Sequence, residues 1–190
     1  MKHIANFFYE TGLLGRLRRT GFYFAGVTDP ETIAAHSHRA SVIAYVLAKM
    51  EKADAAKCAL MCMLHDIPEA RTGDGNKVAA RYIKFGEAEA KAFNDQIENL
   101  PDEVKNDFRK IYAEFEDRKS KEAIVAKDAD LLECALEARE HVENGFKAAQ
   151  GWIDRINTSL ATESAKKLMA EIEKTKPDEW YIGLKVEKVR

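Results

Sequence analysis

Asp54-Ala55-Ala56-Lys57-Cys58-Ala59-Leu60-Met61-Cys62-Met63-Leu64-His65-Asp66-Ile67-Pro68-Glu69 reads as an apolar helix that ends on an imidazole and a carboxylate. Asp54 can accept hydrogen bonds from the free amides of a helix N-terminus. Cys58, Met61, Cys62 and His65 then recur at the spacing of one helical face. Pro68 pushes its predecessor out of the helical region, so the helix stops close to His65. On a regular helix, adjacent residues point roughly 100° apart. At a helix end the backbone can turn and aim both donors at one point. That arrangement suits a cation better than it suits a core.

The rest of the chain supports a helical fold. Its 190 residues include only 10 glycines and 4 prolines, helical periodicity runs through most of it, and strand alternation is nearly absent. The expected architecture is all-α: one domain over residues 1–190, with a motif-bearing core at about 10–140 and a C-terminal helical extension at about 145–190. Ile4–Leu17 predicts a first helix, and Arg18–Tyr23 a loop. Asp29-Pro30-Glu31 predicts the start of a helix reaching Lys52, with Val42, Ile43, Val46, Leu47 and Met50 as its apolar stripe. Further helices are expected at Lys84–Asn99, Asp102–Asp117 (capped by Asp102), Ser120–Val142 (capped by Ser120) and Thr162–Lys174. A final short turn is expected near Pro177–Tyr181. Thr72–Asn76 reads as a turn, and Gly145 and Gly151 as breaks after the long helix.

Lys plus Arg (30) nearly balance Asp plus Glu (32), for a net charge of −2 without a basic run, so a nucleic-acid partner is not expected. Three cysteines without a signal peptide argue against a disulfide framework. No apolar stretch approaches the ~20 residues of a membrane span. The expected setting is cytoplasmic, away from membranes.

Five histidines stand at positions 3, 36, 38, 65 and 141. A short loop near Ala53 would lay the start of one helix beside the end of the next, bringing His36 to His65 and Asp66. Asp130, on a mostly apolar face, needs a partner if buried. His36, His65, Asp66 and Asp130 together would suit one divalent ion: Mn, Co, Ni, Zn or Mg. Such an ion lowers the pKa of water and withdraws charge from phosphoryl oxygens. Glu69 and Asp74 are the candidate acid–base groups beside it. Simpler readings cover the remainder. His38 is read as a polar neighbour or a support for His36, and His3 and His141 as surface residues. Cys58, Cys62 and Cys134 are read as buried apolar groups and Asp128 as solvent-facing. Arg71 and Lys77 are read as phosphate contacts or solvated charges.

The ordered blocks Arg19-Thr20-Gly21-Phe22, Glu31…His36, His65-Asp66-Ile67-Pro68-Glu69-Ala70-Arg71-Thr72-Gly73-Asp74 and Lys127-Asp128-Ala129-Asp130 resemble the HD-domain metal-dependent phosphohydrolases, specifically their 5′-deoxynucleotidase branch. The resemblance implies an HD-domain helical bundle, usually a homodimer, that hydrolyses deoxyribonucleoside 5′-monophosphates to deoxynucleoside and phosphate. It implies metal ligation by His36, His65, Asp66 and Asp130, and action on the attacking water by Glu69. Asp74 would assist near the leaving 5′ oxygen or the sugar, Arg19 would grip phosphate, and Phe22 would exclude a 2′-hydroxyl. Relatives often carry Trp at the aromatic position, where this chain has Phe22. No histidine lies between Asp66 and Asp130, the interval from which two-metal members of the superfamily take extra ligands, so one metal is expected. The alternatives are a triphosphohydrolase or phosphodiesterase on the same site, which the loops supply with few obvious cations, or a non-catalytic module that senses nucleotides.

Overall fold

A computed structural model describes residues 1–184. Its elements are α1 (Lys2–Thr11), α2 (Ile33–Glu51), α3 (Ala55–Leu64), α4 (Glu69–Thr72), α5 (Phe85–Ile97), α6 (Asp102–Asp117), α7 (Lys121–Glu143), α8 (Gln150–Asn157), α9 (Glu163–Ile172) and α10 (Glu179–Ile182). Short 3₁₀ turns join them at Gly12–Gly15, Thr20–Ala25, Ala79–Arg81 and Lys147–Ala149. Among the described residues there is no strand, only an isolated antiparallel bridge between Arg18 and Thr32. The fold is all-α, as expected.

Everything is arranged around α7, which packs against α2, α3, α6, α8 and α9. The packed faces of α2 and α7 are rich in small side chains: Ala40, Ala44 and Ala48 on α2, and Ala123, Ala126, Ala129, Ala135 and Ala138 on α7, all fully buried. Small residues let helix axes approach closely. Polar side chains on the same faces can then meet across the seam, which is what places the site. A second apolar cluster, including Phe7, Ile33, Leu64, Phe93, Ile97 and Tyr112, fastens α1, α5 and α6 to the other side of α2 and α3.

Local signals set most helix boundaries. Asp54 accepts from the Lys57 amide at 3.1 Å, and Ser120 from the Ala123 amide at 3.1 Å, so both expected caps are present. Elsewhere the caps differ from expectation. The α2 cap is Thr32, whose hydroxyl accepts from the Ala35 amide at 3.2 Å, while Glu31 is drawn off toward His36. Asp102 is the first residue of α6 and makes no capping bond. From Thr20 onward the segment Arg18–Tyr23 is 3₁₀ helix, and the first helix ends at Thr11. Gly151 lies inside α8, a helix that periodicity did not reveal because only Ile153 and Ile156 mark its buried face.

Two side-chain expectations are corrected. The α2 stripe is buried only in part: Leu47 is fully buried and Ile43 packs against the core, but Val42, Val46 and Met50 are about half exposed, and the inner face is Ile33, His36, Ser37, Ala40, Ala44, Leu47 and Ala48. Nor does Asp128 face solvent. It is 2% exposed and accepts from the Ala161 amide (2.9 Å), the Thr162 amide (2.7 Å) and the Thr162 hydroxyl (2.7 Å). Opposite faces of a central helix are both interior, so the usual inference that one faces water fails for α7. Asp128→Ala leaves buried donors unpaired and should destabilise the protein by about 3 kcal/mol in urea unfolding. The exposed Asp102→Ala should change stability by less than ~0.5 kcal/mol.

Candidate metal centre

The turn after α3 does the aiming that the sequence requires. Past Leu64 the backbone tightens into successive three-residue turns, with the Ile67 amide donating to the Leu64 carbonyl (3.2 Å) and the Glu69 amide to the Asp66 carbonyl (3.0 Å). His65 and Asp66 therefore converge, with His65 Nε2 3.1 Å from Asp66 Oδ1. From α2, His36 Nε2 stands 3.6 Å from Asp66 Oδ2 and 3.0 Å from Asp130 Oδ1. His65 Nε2 lies 3.6 Å from that same Asp130 oxygen. Ligands around a six-coordinate ion with bonds of ~2.1 Å sit roughly 3 Å apart at right angles. His36, His65 and Asp66 are thus assembled at ligand-to-ligand spacing, and Asp130 Oδ1 stands against both imidazoles.

Each imidazole is held so that Nε2 faces inward. His65 Nδ1 donates to the Cys62 carbonyl at 2.8 Å. His36 Nδ1 donates to Glu133, a fully buried carboxylate one turn beyond Asp130 on α7. Arg39 holds Glu133 in turn, through Nε at 2.8 Å, and also pairs with Glu137 (2.9 Å) and Glu140 (2.7 Å). The other Asp130 oxygen accepts from Lys127 Nζ at 2.6 Å, leaving Oδ1 to the imidazoles. Sequence reading missed Glu133, Arg39 and Lys127 as supports. Glu133 was findable: it lies one helical turn from Asp130, on the same face.

Buried atoms without hydrogen bonds mark where a cation fits: His36 Nε2, Asp66 Oδ2 and Glu69 Oε2 are all buried and unpartnered in this way. Two imidazoles and two carboxylates suit a divalent ion. Glu31, His36 and Glu133 also cluster on the Nδ1 side, but Arg39 already neutralises Glu133 there. The electrostatics agree. Burial and Arg19 oppose charge on His36, yet Asp130 and Glu133 outweigh them and push it up to about 10. Burial disfavours charge at Asp130 too, but Lys127 and the two imidazoles hold its carboxyl well below the usual range. Burial, then Asp66 and Asp74, pushes Glu69 up to about 10.

A cavity of about 430 Å³ opens beside these groups, lined by Arg19, Phe22, Glu69, Asp74 and Lys77 among the expected residues. Asp74 Oδ2 accepts from both the amide and the hydroxyl of Thr20 (2.6 Å each), and Arg19 reaches Asp66 at 3.5 Å and Asp74 at 4.0 Å. Gly73, with φ 74°, makes the turn that delivers Asp74, and Gly75 is pressed against Phe85, where an added Cβ would lie 2.9 Å from the ring. Phe22 is 1% exposed and stacks on Trp152, at 5.4 Å between ring centroids. Trp152, from the unforeseen α8, lines the cavity as well.

Other residues fall elsewhere. Arg71 does not line the cavity; it pairs with Glu10 across the surface. His38 faces an outer groove and does not support His36. His141, expected at the surface, is nearly buried between Phe22 and Phe146, with Nε2 3.0 Å from Glu137. His3 is exposed, and Cys58 and Cys62 are buried. The expected scarcity of cations is also corrected: α6, α7 and α8 add Arg118, Lys127 and Arg155 to Arg19 and Lys77 around the cavity.

Comparison with known proteins agrees with this architecture. The 5′-deoxynucleotidase HDDC2 of Dictyostelium discoideum is 30% identical over 150 residues, covering 74% of this chain and 78% of its own. Its Bos taurus counterpart is 27% identical over 177 residues, covering 90% and 85%. A conserved hypothetical protein from Pyrococcus furiosus superposes with a TM-score of 0.75 at 26% identity, covering 90% of this chain and 99% of its own. A predicted metal-dependent phosphohydrolase from Magnetospirillum magnetotacticum MS-1 shares the fold, with a TM-score of 0.67 at 20% identity and coverage of 90% and 92%. Residues 12–173 match the HD domain family, and the chain belongs to it.

Proposed function

We propose that this protein is a 5′-deoxynucleotidase: a hydrolase of deoxyribonucleoside 5′-monophosphates that works with one divalent ion held by His36, His65, Asp66 and Asp130. The observation carrying this reading is the convergence of those four side chains, with unpartnered buried donor atoms, at the wall of a cavity that also presents Arg19 and Glu69. The relatives named above as 5′-deoxynucleotidases support the substrate class. We read the chain as a single HD domain, since its two apolar clusters share Ile111.

When bound, the ion lowers the pKa of water and draws charge from the phosphoryl oxygens. Arg19, partly exposed at the cavity and facing Asp66 and Asp74, orients the phosphate. The attacking water forms the new bond to phosphorus as the bond to the 5′ oxygen breaks. Glu69, whose Oε2 is free of hydrogen bonds, takes the water's proton and returns it to the departing 5′ oxygen. Without a cation its raised pKa leaves Glu69 protonated; a positive charge beside Asp66 brings it into the ionised form that can accept. Asp74, already accepting twice from Thr20, acts by fixing the Arg19 loop. The Phe22–Trp152 stack forms a rigid aromatic wall for the sugar.

A homodimer accords with an apolar face on α2 and α3, where Val42, Tyr45, Val46, Met50 and Met63 are each about half exposed beside a groove lined by Phe8, Leu60 and Phe108. A cytoplasmic setting accords with the three free cysteines. None of the described helices is long and apolar enough to cross a membrane.

A phosphate-release screen of ribo- and deoxyribonucleoside monophosphates with Mn²⁺, Co²⁺, Ni²⁺, Zn²⁺ and Mg²⁺ should give turnover of the deoxy series. His65→Ala or Asp130→Ala should lower kcat/KM by at least ~10³. Turnover retained in either variant would contradict the site, and binding without turnover under every ion would favour the sensing module. Val46→Glu should convert a dimer to a monomer in sedimentation velocity; an unchanged dimer would place the interface on another face.

A further inference from the structure

The cavity's cations fall into two groups. Arg19 and Lys127 are engaged, the first with Asp66 and Asp74, the second with Asp130 at 2.6 Å. Lys77, Arg118 and Arg155 come from three separate elements: the segment after the Asp74 turn, the C-terminal cap of α6, and α8. All three are exposed at their side of the cavity, and none has a carboxylate within ion-pair distance among the described residues. Two carboxylates, Glu89 and Glu116, line the same cavity without pairing to them. Burial, then Asp66, raises the Glu89 carboxyl, which reduces its capacity to neutralise a neighbour. Burial, and then the neighbouring charge of Arg155, lower the Lys77 ammonium.

Three cations without ion-pair partners on the wall of one ligand-sized cavity raise the local potential for anions. Arginine's planar fork matches phosphate bidentately, and two of the three are arginines. A nucleoside monophosphate carries one phosphoryl group, and the reading above assigns that group to the metal centre and Arg19. That assignment gives Lys77, Arg118 and Arg155 no role.

We infer that Lys77, Arg118 and Arg155 form a second anion subsite, which takes a second phosphoryl group on the same nucleotide. The inference rests on the proposed nucleotide reading of the cavity. The second group is either a 3′-phosphate or the extension of a 5′-polyphosphate chain; the chemistry at the subsite is the same. Phe85 and Trp152, which also line the cavity, provide flat apolar walls for the nucleoside.

Isothermal titration of the full-length protein with deoxyadenosine 5′-monophosphate, deoxyadenosine 3′,5′-bisphosphate and deoxyadenosine triphosphate measures this directly, without requiring turnover. At least one of the two multiply phosphorylated ligands should bind about tenfold more tightly than the monophosphate. The tighter of them identifies the source of the second phosphate. The Arg118→Gln/Arg155→Gln double variant should bring the three affinities within about twofold of each other, through loss of affinity for that ligand. Arg118→Lys/Arg155→Lys should keep part of the difference. Equal affinities in the wild type, or a difference undiminished in the glutamine variant, would overturn the subsite. A difference that follows the arginines, in a protein that hydrolyses no monophosphate, would uphold the subsite and overturn the proposed activity.

Discussion

The structure depends on one imidazole held from both sides. His36 is fully buried in the α2–α7 seam, with Nδ1 on Glu133 and Nε2 facing Asp66 and Asp130. Burying that ring and its carboxylates is costly unless every group is paired. Arg39 and Lys127 complete the pairing at the two ends, and the alanine surface of the seam brings them within reach. What remains unpaired is a small set of donor atoms aimed at one point. A cation there completes the network, so that the interior polar groups of the fold and its reactive centre form a single device.

A corollary concerns rigidity. The proposed metal ligands sit on α2, on α7 and at the end of α3, all held by the alanine seam and the apolar clusters. The proposed substrate contacts sit on short elements: Arg19 and Phe22 at the start of a 3₁₀ segment, Asp74 beyond Gly73, Trp152 on the short α8. Thr20 on Asp74 and Phe22 on Trp152 tie these segments to one another, and Phe22 and Ile153 also join the apolar cluster that holds α2 and α7. Substitution in the turns is therefore expected to alter ligand choice more readily than ion binding.

The centre was legible in the sequence to the extent that it is local. His65-Asp66 before Pro68 announces a helix end, and Asp54 and Ser120 announce helix starts; capping and proline sterics act within a few residues and are written there. His36 and Asp130 could be assigned because short connections and a motif order limit where their helices lie. Three things were hidden for a common reason. Asp128, His141 and the Val42–Met50 stripe were misplaced because burial depends on how many neighbours a helix has, and α7 has five while the outer face of α2 has none among the described residues. The cations Arg118 and Arg155 and the aromatic Trp152 reach the cavity from elements distant in sequence, and no local pattern distinguishes them from solvated charge or ordinary core.

The central claim is that His36 Nε2, His65 Nε2, Asp66 and Asp130 Oδ1 hold a single divalent ion. Anomalous diffraction from crystals grown with Mn²⁺ tests it most directly. The account predicts one strong anomalous peak, about 2.0–2.3 Å from those four side chains. A peak instead between Glu31, His36 Nδ1 and Glu133, or two peaks sharing Asp66, would contradict it.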